Sequence, residues 1–301
     1  MTEQSSLENV VDLHGHCGPS PFKRRVDAYE YAREAAEAGM DAVVFKEHFI
    51  PTVYGVPFVE RLLERDGLDI LPVGSVVLNY CNGGFNPFMV ETAIDYGAKV
   101  IWAPTIDARN HGEKTEGVGN YASLIGGGTD NIGPEYDGKT GLYALTGNGE
   151  LKDNVRLCIE KIVDHDVALF IGHLTFEETR KMVQYADELG HDKMVIDHPN
   201  FFITDFDHDQ QSELVSMGAY MNLPSAALGP KVHWLSPEEF YNSLRAVGID
   251  NCVVSSDVGQ PGNPTSSEAL ELLRSNLLDE GLSPEEFRTL SVTNPKAILG
   301  I

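Results

Sequence analysis

The sequence predicts an α/β protein folded as a single (β/α)8 TIM barrel over residues 1–301, with a long insertion after the fourth strand. Three observations predict it. Short apolar runs bounded by turn residues alternate with longer amphipathic stretches, the order expected of βα units around a parallel sheet. Eight such runs can be counted along the chain. Histidines and acids close several of them, and the C-terminal strand ends are where a barrel carries its active site.

In order, the strands are expected over Val10 to His16, Ala42 to His48, Ile70 to Leu78, Val100 to Thr105, Ala168 to His173, Met194 to His198, Ala219 to Leu223 and Cys252 to Asp257. Between them, Val26 to Gly39 carries apolar or alanine positions at helical spacing and ends in glycine, a helix followed by its stop. Pro87 to Gly97, Val155 to His165, Thr175 to Gly190, Ser236 to Gly248 and Ser266 to Glu280 repeat the scheme. A doubly wound open sheet would satisfy the same count, but no glycine-rich phosphate turn follows an early strand, so it ranks second. At 301 residues the chain is long for one domain, yet barrels reach this size as one unit.

One unit breaks the rhythm. Residues Ile106 to Glu150 separate the fourth strand from its helix with a run rich in glycine, asparagine and charge. Loops of this length are uncommon unless functional or disordered. Its position after a strand's C-terminal end makes it a lid over the catalytic face, or else a surface decoration or a contact in a homo-oligomer. Within it, Tyr143 to Leu151 reads as a small hairpin turning at Gly147 to Gly149.

With 46 acidic against 22 basic residues, the formal charge of −24 excludes nucleic acid and anionic membrane as natural partners. The acids are spread along the chain, as in a halophile's solvated surface. No run is long and apolar enough for a membrane span, and Met1 to Val10 does not read as a secretory signal, so the expected location is cytoplasmic. Cys17, Cys81, Cys158 and Cys252 lack the close pairing of zinc or redox motifs and are expected as free thiols. Cys17, beside the histidine pair, reads as a small buried residue ahead of a ligand.

The chemistry concentrates at the strand ends. In Asp12-Leu13-His14-Gly15-His16 the period-two alternation of a strand places both imidazoles on one face, where they can grip one ion. The second strand closes in Lys46-Glu47-His48, with Lys46 and His48 sharing a face, where either could approach the metal and His48 is a further candidate ligand, and Glu47 pointing away. A lysine beside a divalent ion is repelled, so Lys46 must be carbamylated, hold an anionic substrate or pair with a carboxylate. His173 and His198 each end an apolar run in successive units, and Ser256-Asp257 ends the last. Alone, such an aspartate is as readily the cap of the next helix. Together, imidazoles with one carboxylate suit zinc best, with manganese, iron or nickel as alternatives. A metal-activated water would serve as nucleophile, with Asp257 exchanging its proton. Asp107 and His111, opening the long loop, are further candidates for substrate contact or ligation.

These residues, in this order, resemble the amidohydrolase superfamily, an uncharacterised branch of it. The resemblance runs from Asp12-Leu13-His14-Gly15-His16 through His173, His198 and Ser256-Asp257 to the closing Thr293-Asn294-Pro295-Lys296-Ala297-Ile298-Leu299-Gly300. It implies a metal held by the histidine pair and Asp257, with His173 and His198 binding a second ion or contacting substrate. Many binuclear members add a carbamylated lysine on the fourth strand; here Lys99 begins that strand and nothing suitable ends it. One or two ions therefore remain open, with Lys46 the other source of a carbamate. The implied activity is hydrolysis of a carbon–nitrogen bond in a small amide or cyclic amide, or of a lactone. Lys46 to His48 also resembles the second-strand ligand of the polymerase-and-histidinol-phosphatase phosphoesterases, a reading that would call on Lys46, Arg109 or Lys114 as cationic groups. A decarboxylase on the same scaffold and a non-catalytic metal-binding protein complete the alternatives.

Overall fold

The computed structural model describes residues 6–115, 117–119 and 140–301. Its strands are β1 (Val11–His16), β2 (Ala42–Lys46), β3 (Leu71–Val73), β4 (Ser75–Val77), β5 (Val100–Trp102), β6 (Ala168–Ile171), β7 (Met194–Asp197), β8 (Ala219–Pro224) and β9 (Cys252–Ser255). They form two parallel ladders in chain order, β1-β2-β3 and β4 through β9. Helices on the intervening segments make this a mixed α/β fold with every strand end that matters pointing the same way.

The expected third strand is divided at Gly74. A Cβ there would lie 2.4 Å from the Cα of Val53, so glycine lets the strand pass directly against the turn Thr52–Gly55. Hydroxyls replace the lost ladder bonds: Ser75 N donates to Thr52 Oγ1 at 2.9 Å, and Thr52 Oγ1 donates to the Phe45 carbonyl at 2.8 Å. At the other margin, the chain leaving β9 runs beside β1, with Asp257 N donating to His14 O at 2.7 Å and His16 N to Val258 O at 2.8 Å.

Strict alternation fails inside β1. Asp12 pairs with Val43 and Gly15 with Phe45, so β1 carries one extra residue at a bulge. Asp12 and Gly15 consequently face the same way, toward Tyr31 on the helix Ala28–Glu37. Tyr31 Oη donates to Asp12 Oδ2 at 2.9 Å, and a Cβ on residue 15 would lie 2.2 Å from that oxygen. His14 and His16 are left facing the opposite side together.

Several expected strands also end early. His48, His173, His198 and Asp257 lie just beyond β2, β6, β7 and β9, not within them. Three of these residues have left-handed backbones, with φ of 64° at His173, 36° at His198 and 51° at Asp257. A strand cannot continue through that conformation.

The long helices fall where expected, and their starts are chemically explicit. Asp27, Thr175, Ser236 and Thr265 each cap a helix with a reciprocal side-chain box. Thr265 therefore takes the capping role that was open to Asp257. The helices Val56–Asp66, Arg109–Lys114, His208–Ser216 and Pro284–Arg288 were not anticipated. Of the expected long loop, residues 116 and 120–139 lie outside the described residues. Its end does turn where expected, with Thr146 N donating to Glu150 O at 2.7 Å and Leu145 bridging Leu151. Among the described residues no helix is long and apolar enough to cross a membrane.

Buried strand side chains divide into two sets. Val43, Phe45, Ile101, Leu169 and Ile196 pack with the helices. Val44, Trp102, Phe170, Val195 and Val253 pack with one another and with Ile298 and Leu299 of the last helix. The second set forms the apolar floor beneath the histidines. Gly15→Ala is expected to overpack Tyr31 and cost about 1–3 kcal/mol, lowering the thermal midpoint by several degrees. Gly147→Ala, where nothing lies within 4 Å, should leave the melting curve unchanged.

Candidate metal centre

His14 and His16 leave the bulged strand with their rings side by side, and the left-handed turn after β9 brings Asp257 to them. His14 Nε2 and His16 Nε2 are 3.2 Å apart, and Asp257 Oδ1 is 3.1 Å from each. Among the described residues these three form a group able to hold a metal ion. The ring tautomers are decided by the partners behind them. Lys46 O, a carbonyl that can only accept, receives the Nδ1 hydrogen of His16 at 3.0 Å. Asp197 Oδ1 likewise accepts from His14 Nδ1 at 3.1 Å. Both Nε2 atoms are thereby left as lone pairs aimed at one another and at a carboxylate oxygen. Donors bound 2.0–2.1 Å from a tetrahedral ion lie about 3.3 Å apart, close to the edges of this triangle. The donor set, two neutral imidazoles with one carboxylate, and its spacing fit a divalent cation.

Burial favours the neutral imidazoles that ligation requires. Burial, with the positive charge of Arg24 next, pushes His16 down to about 3. His48 and His173 are held well below the ordinary histidine value, again chiefly by burial. Burial alone would raise the carboxyls of Asp257 and Asp197. Their histidine neighbours and Lys46 outweigh it and hold both below the usual carboxylate range.

Asp197 is the hub behind the triangle. Besides His14, its Oδ1 accepts from Asn222 Nδ2 at 2.7 Å, and its Oδ2 lies 3.2 Å from Lys46 Nζ and 3.3 Å from His198 Nε2. Lys46 is thus placed in an ion pair with a buried carboxylate, its ammonium also 4.1 Å from the centroid of Trp102. Trp102 in turn lies against His14, ring centroids 4.9 Å apart. Glu47 points away as expected, accepting from the backbones of Phe49 and Ile50.

The other histidines surround this centre without joining the triangle. His48 stacks on His16 at 5.2 Å, and its Nδ1 lies 2.9 Å from Thr105 Oγ1. His198 is 6.3 Å from His14 and 4.9 Å from His173 between ring centroids. His111 continues the row, its Nδ1 2.8 Å from His173 Nδ1. Asp107 instead accepts from Tyr80 N at 2.7 Å. Lys99 reaches the Leu299 carbonyl, Arg109 covers the Tyr143 ring and Lys114 pairs with exposed Asp205. Cys17 is buried, and burial pushes its thiol up to about 12, against a thiolate ligand.

Asp12 and Asp197 carry structural duties that the sequence pattern did not separate from the motif itself. Asp12 accepts from Ser256 N at 2.9 Å and from the hydroxyls of Tyr31, Ser256 and Ser266, tying β1 to the residue before Asp257. A polar residue inside an apolar run was the available signal for both. Beside Asp257 opens a largely apolar cavity lined by Phe201, Leu228, Val232 and Trp234, with Gln260 among its polar groups.

A model of a family of unknown function, DUF6282, matches residues 9–222. The chain belongs to that family. The match takes in every histidine of this DUF6282 protein's cluster but stops short of Asp257. No curated protein matches the chain. Among solved structures it is similar to an amidohydrolase from Pseudomonas aeruginosa, at 9% identity and TM-score 0.64 over 98% of this chain and 96% of that one. A probable dipeptidase from the same organism gives 11% identity and TM-score 0.60 over 98% and 96%. A probable 2-pyrone-4,6-dicarboxylic acid hydrolase from Acinetobacter baumannii gives 12% identity and TM-score 0.58 over 97% and 100%. The expected likeness to the amidohydrolase superfamily therefore holds at the level of fold.

Asp197→Asn should reduce metal affinity about 10–100-fold through the loosened His14. Because it also leaves Lys46 buried without its counter-charge, a stability loss of about 3–5 kcal/mol should accompany it. Metal titration and denaturant melts measure the two effects separately.

Proposed function

We propose that this DUF6282 protein is a metal-dependent hydrolase that uses a metal-activated water on an amide, cyclic amide or lactone of a small molecule. The observation that carries the reading is the convergence of two lone-pair nitrogens and a carboxylate oxygen at the open end of parallel strands. We further read the two ladders as one closed (β/α)8 barrel. Its support is the backbone bonding from Asp257 and His16 across the β9–β1 margin, together with the apolar set enclosed between strands and terminal helix.

His14, His16 and Asp257 would hold the ion, zinc being the best match to two imidazoles and a carboxylate. A divalent ion there supplies Lewis acidity and a water that ionises near neutral pH. Asp257 is 18% exposed in its side chain, while the histidines of the triangle are at 1% and 2%, so it is the member that meets substrate and water. It takes the attacking water's proton and delivers it to the leaving nitrogen or oxygen. Asp197 and Lys46 keep His14 oriented, and the apolar cavity beside Asp257 excludes water from the substrate body. With its amine paired to Asp197, Lys46 acts here as an ammonium, and a single ion is the simplest occupancy. The phosphoester alternative is weaker, since Arg109 and Lys114 are engaged on Tyr143 and Asp205.

Purified protein loaded in turn with zinc, manganese, iron or nickel should hydrolyse members of an amide, dipeptide and lactone panel. Asp257→Asn should lower kcat by about 10²–10⁴-fold, the usual worth of a positioned acid–base group. Full activity in both Asp257→Asn and His14→Ala, or failure to retain any of these metals, would overturn the assignment.

A further inference from the structure

In so acidic a chain the run Lys23-Arg24-Arg25 is unusual, and its members have different fates. Arg25 pairs with Glu34, its Nη1 donating to Oε1 at 3.0 Å, and only its Nε is left without a hydrogen-bond partner among the described residues. At Arg24 the Nε and both Nη atoms are buried and have no hydrogen-bond partner among the described residues. A guanidinium carries five donors and cannot shed its charge, so burying it unpaired is strongly unfavourable. Among the described residues, in a chain this acidic, no carboxylate is set against it.

The surroundings relate this group to the metal centre. Arg24 Cζ lies 5.7 Å from the centroid of Phe22, the Phe22 ring meets His48 edge-on at 6.0 Å, and His48 stacks on His16. The loop carrying it is pinned on both sides: Gly18 N donates to Val26 O at 2.8 Å, and Arg25 N donates to Gly259 O at 2.8 Å, two residues beyond Asp257.

We infer that Arg24 is the docking group for a carboxylate on the substrate, so that the scissile amide or lactone belongs to an anionic small molecule. As a statement about substrate this rests on the hydrolase reading; as a statement about anion binding it does not. A planar fork with no internal partner matches a carboxylate through two parallel hydrogen bonds. One guanidinium balances the charge of one carboxylate. The bound carboxylate also supplies the counter-charge that the protein withholds.

The test is calorimetric titration of the metal-loaded full chain with succinate, with its neutral analogue succinamide, and with inorganic phosphate. Wild type should bind succinate at least about tenfold more tightly than succinamide or phosphate, a difference of one decade or more in Kd. Arg24→Gln should lose that preference while keeping the metal content of wild type and a thermal midpoint no lower. Equal affinity for succinate and succinamide in wild type, tighter binding of phosphate, or undiminished succinate binding by Arg24→Gln would each overturn the inference. Equal wild-type affinities overturn it even if the variant fails to fold. Because the readout is binding, absence of turnover on every panel would count against the hydrolase reading alone.

Discussion

Two imidazole nitrogens and a carboxylate oxygen, all electron-rich, are held within 3.2 Å of one another in a site almost closed to water. Such atoms repel while both rings are neutral and turn their Nδ1 hydrogens toward Lys46 O and Asp197. The arrangement is stable only with positive charge between the donors. Much of the polar structure around the strand ends serves to hold that unfavourable geometry in place. Asp197 fixes one ring and is itself fixed by Lys46 and Asn222. Asp12 binds the backbone of Ser256 and so sets where Asp257 can stand.

The strand ends also carry strained backbone. His173, His198 and Asp257 all adopt left-handed conformations immediately after strands, at a cost of order 1 kcal/mol or more each. The turn swings each side chain back over the strand ends, where a regular strand would have carried it past. The same backbone recurs at Asn9, Asp166 and Asp205, outside the candidate site. The bulge in β1 achieves a related end by a different route, since one extra residue lets Asp12 serve the outer face while His14 and His16 serve the centre.

Much of the site was legible because strand ends, histidine spacing and the terminal aspartate are local patterns. His14, His16 and Asp257 meet as their spacing and order suggest. The roles of Lys46 and Asp197 were not legible, since the two are separated by 151 positions and only their meeting gives either a meaning. Arg24 shows the limit more sharply. A basic run in an acidic chain is visible in the sequence, but which arginine finds a carboxylate and which is left without one is not.

The sequence by itself determined the βα rhythm, the helix caps, the acidic surface and the candidate ligands, because each depends on neighbours within a few residues or on composition. Only the tertiary structure decided the break at Gly74, the facing of Asp12, the tautomers of the two histidines and the lack of a hydrogen-bond partner for Arg24 among the described residues. Those depend on which distant side chains arrive at a shared place, and packing, not local propensity, sets that.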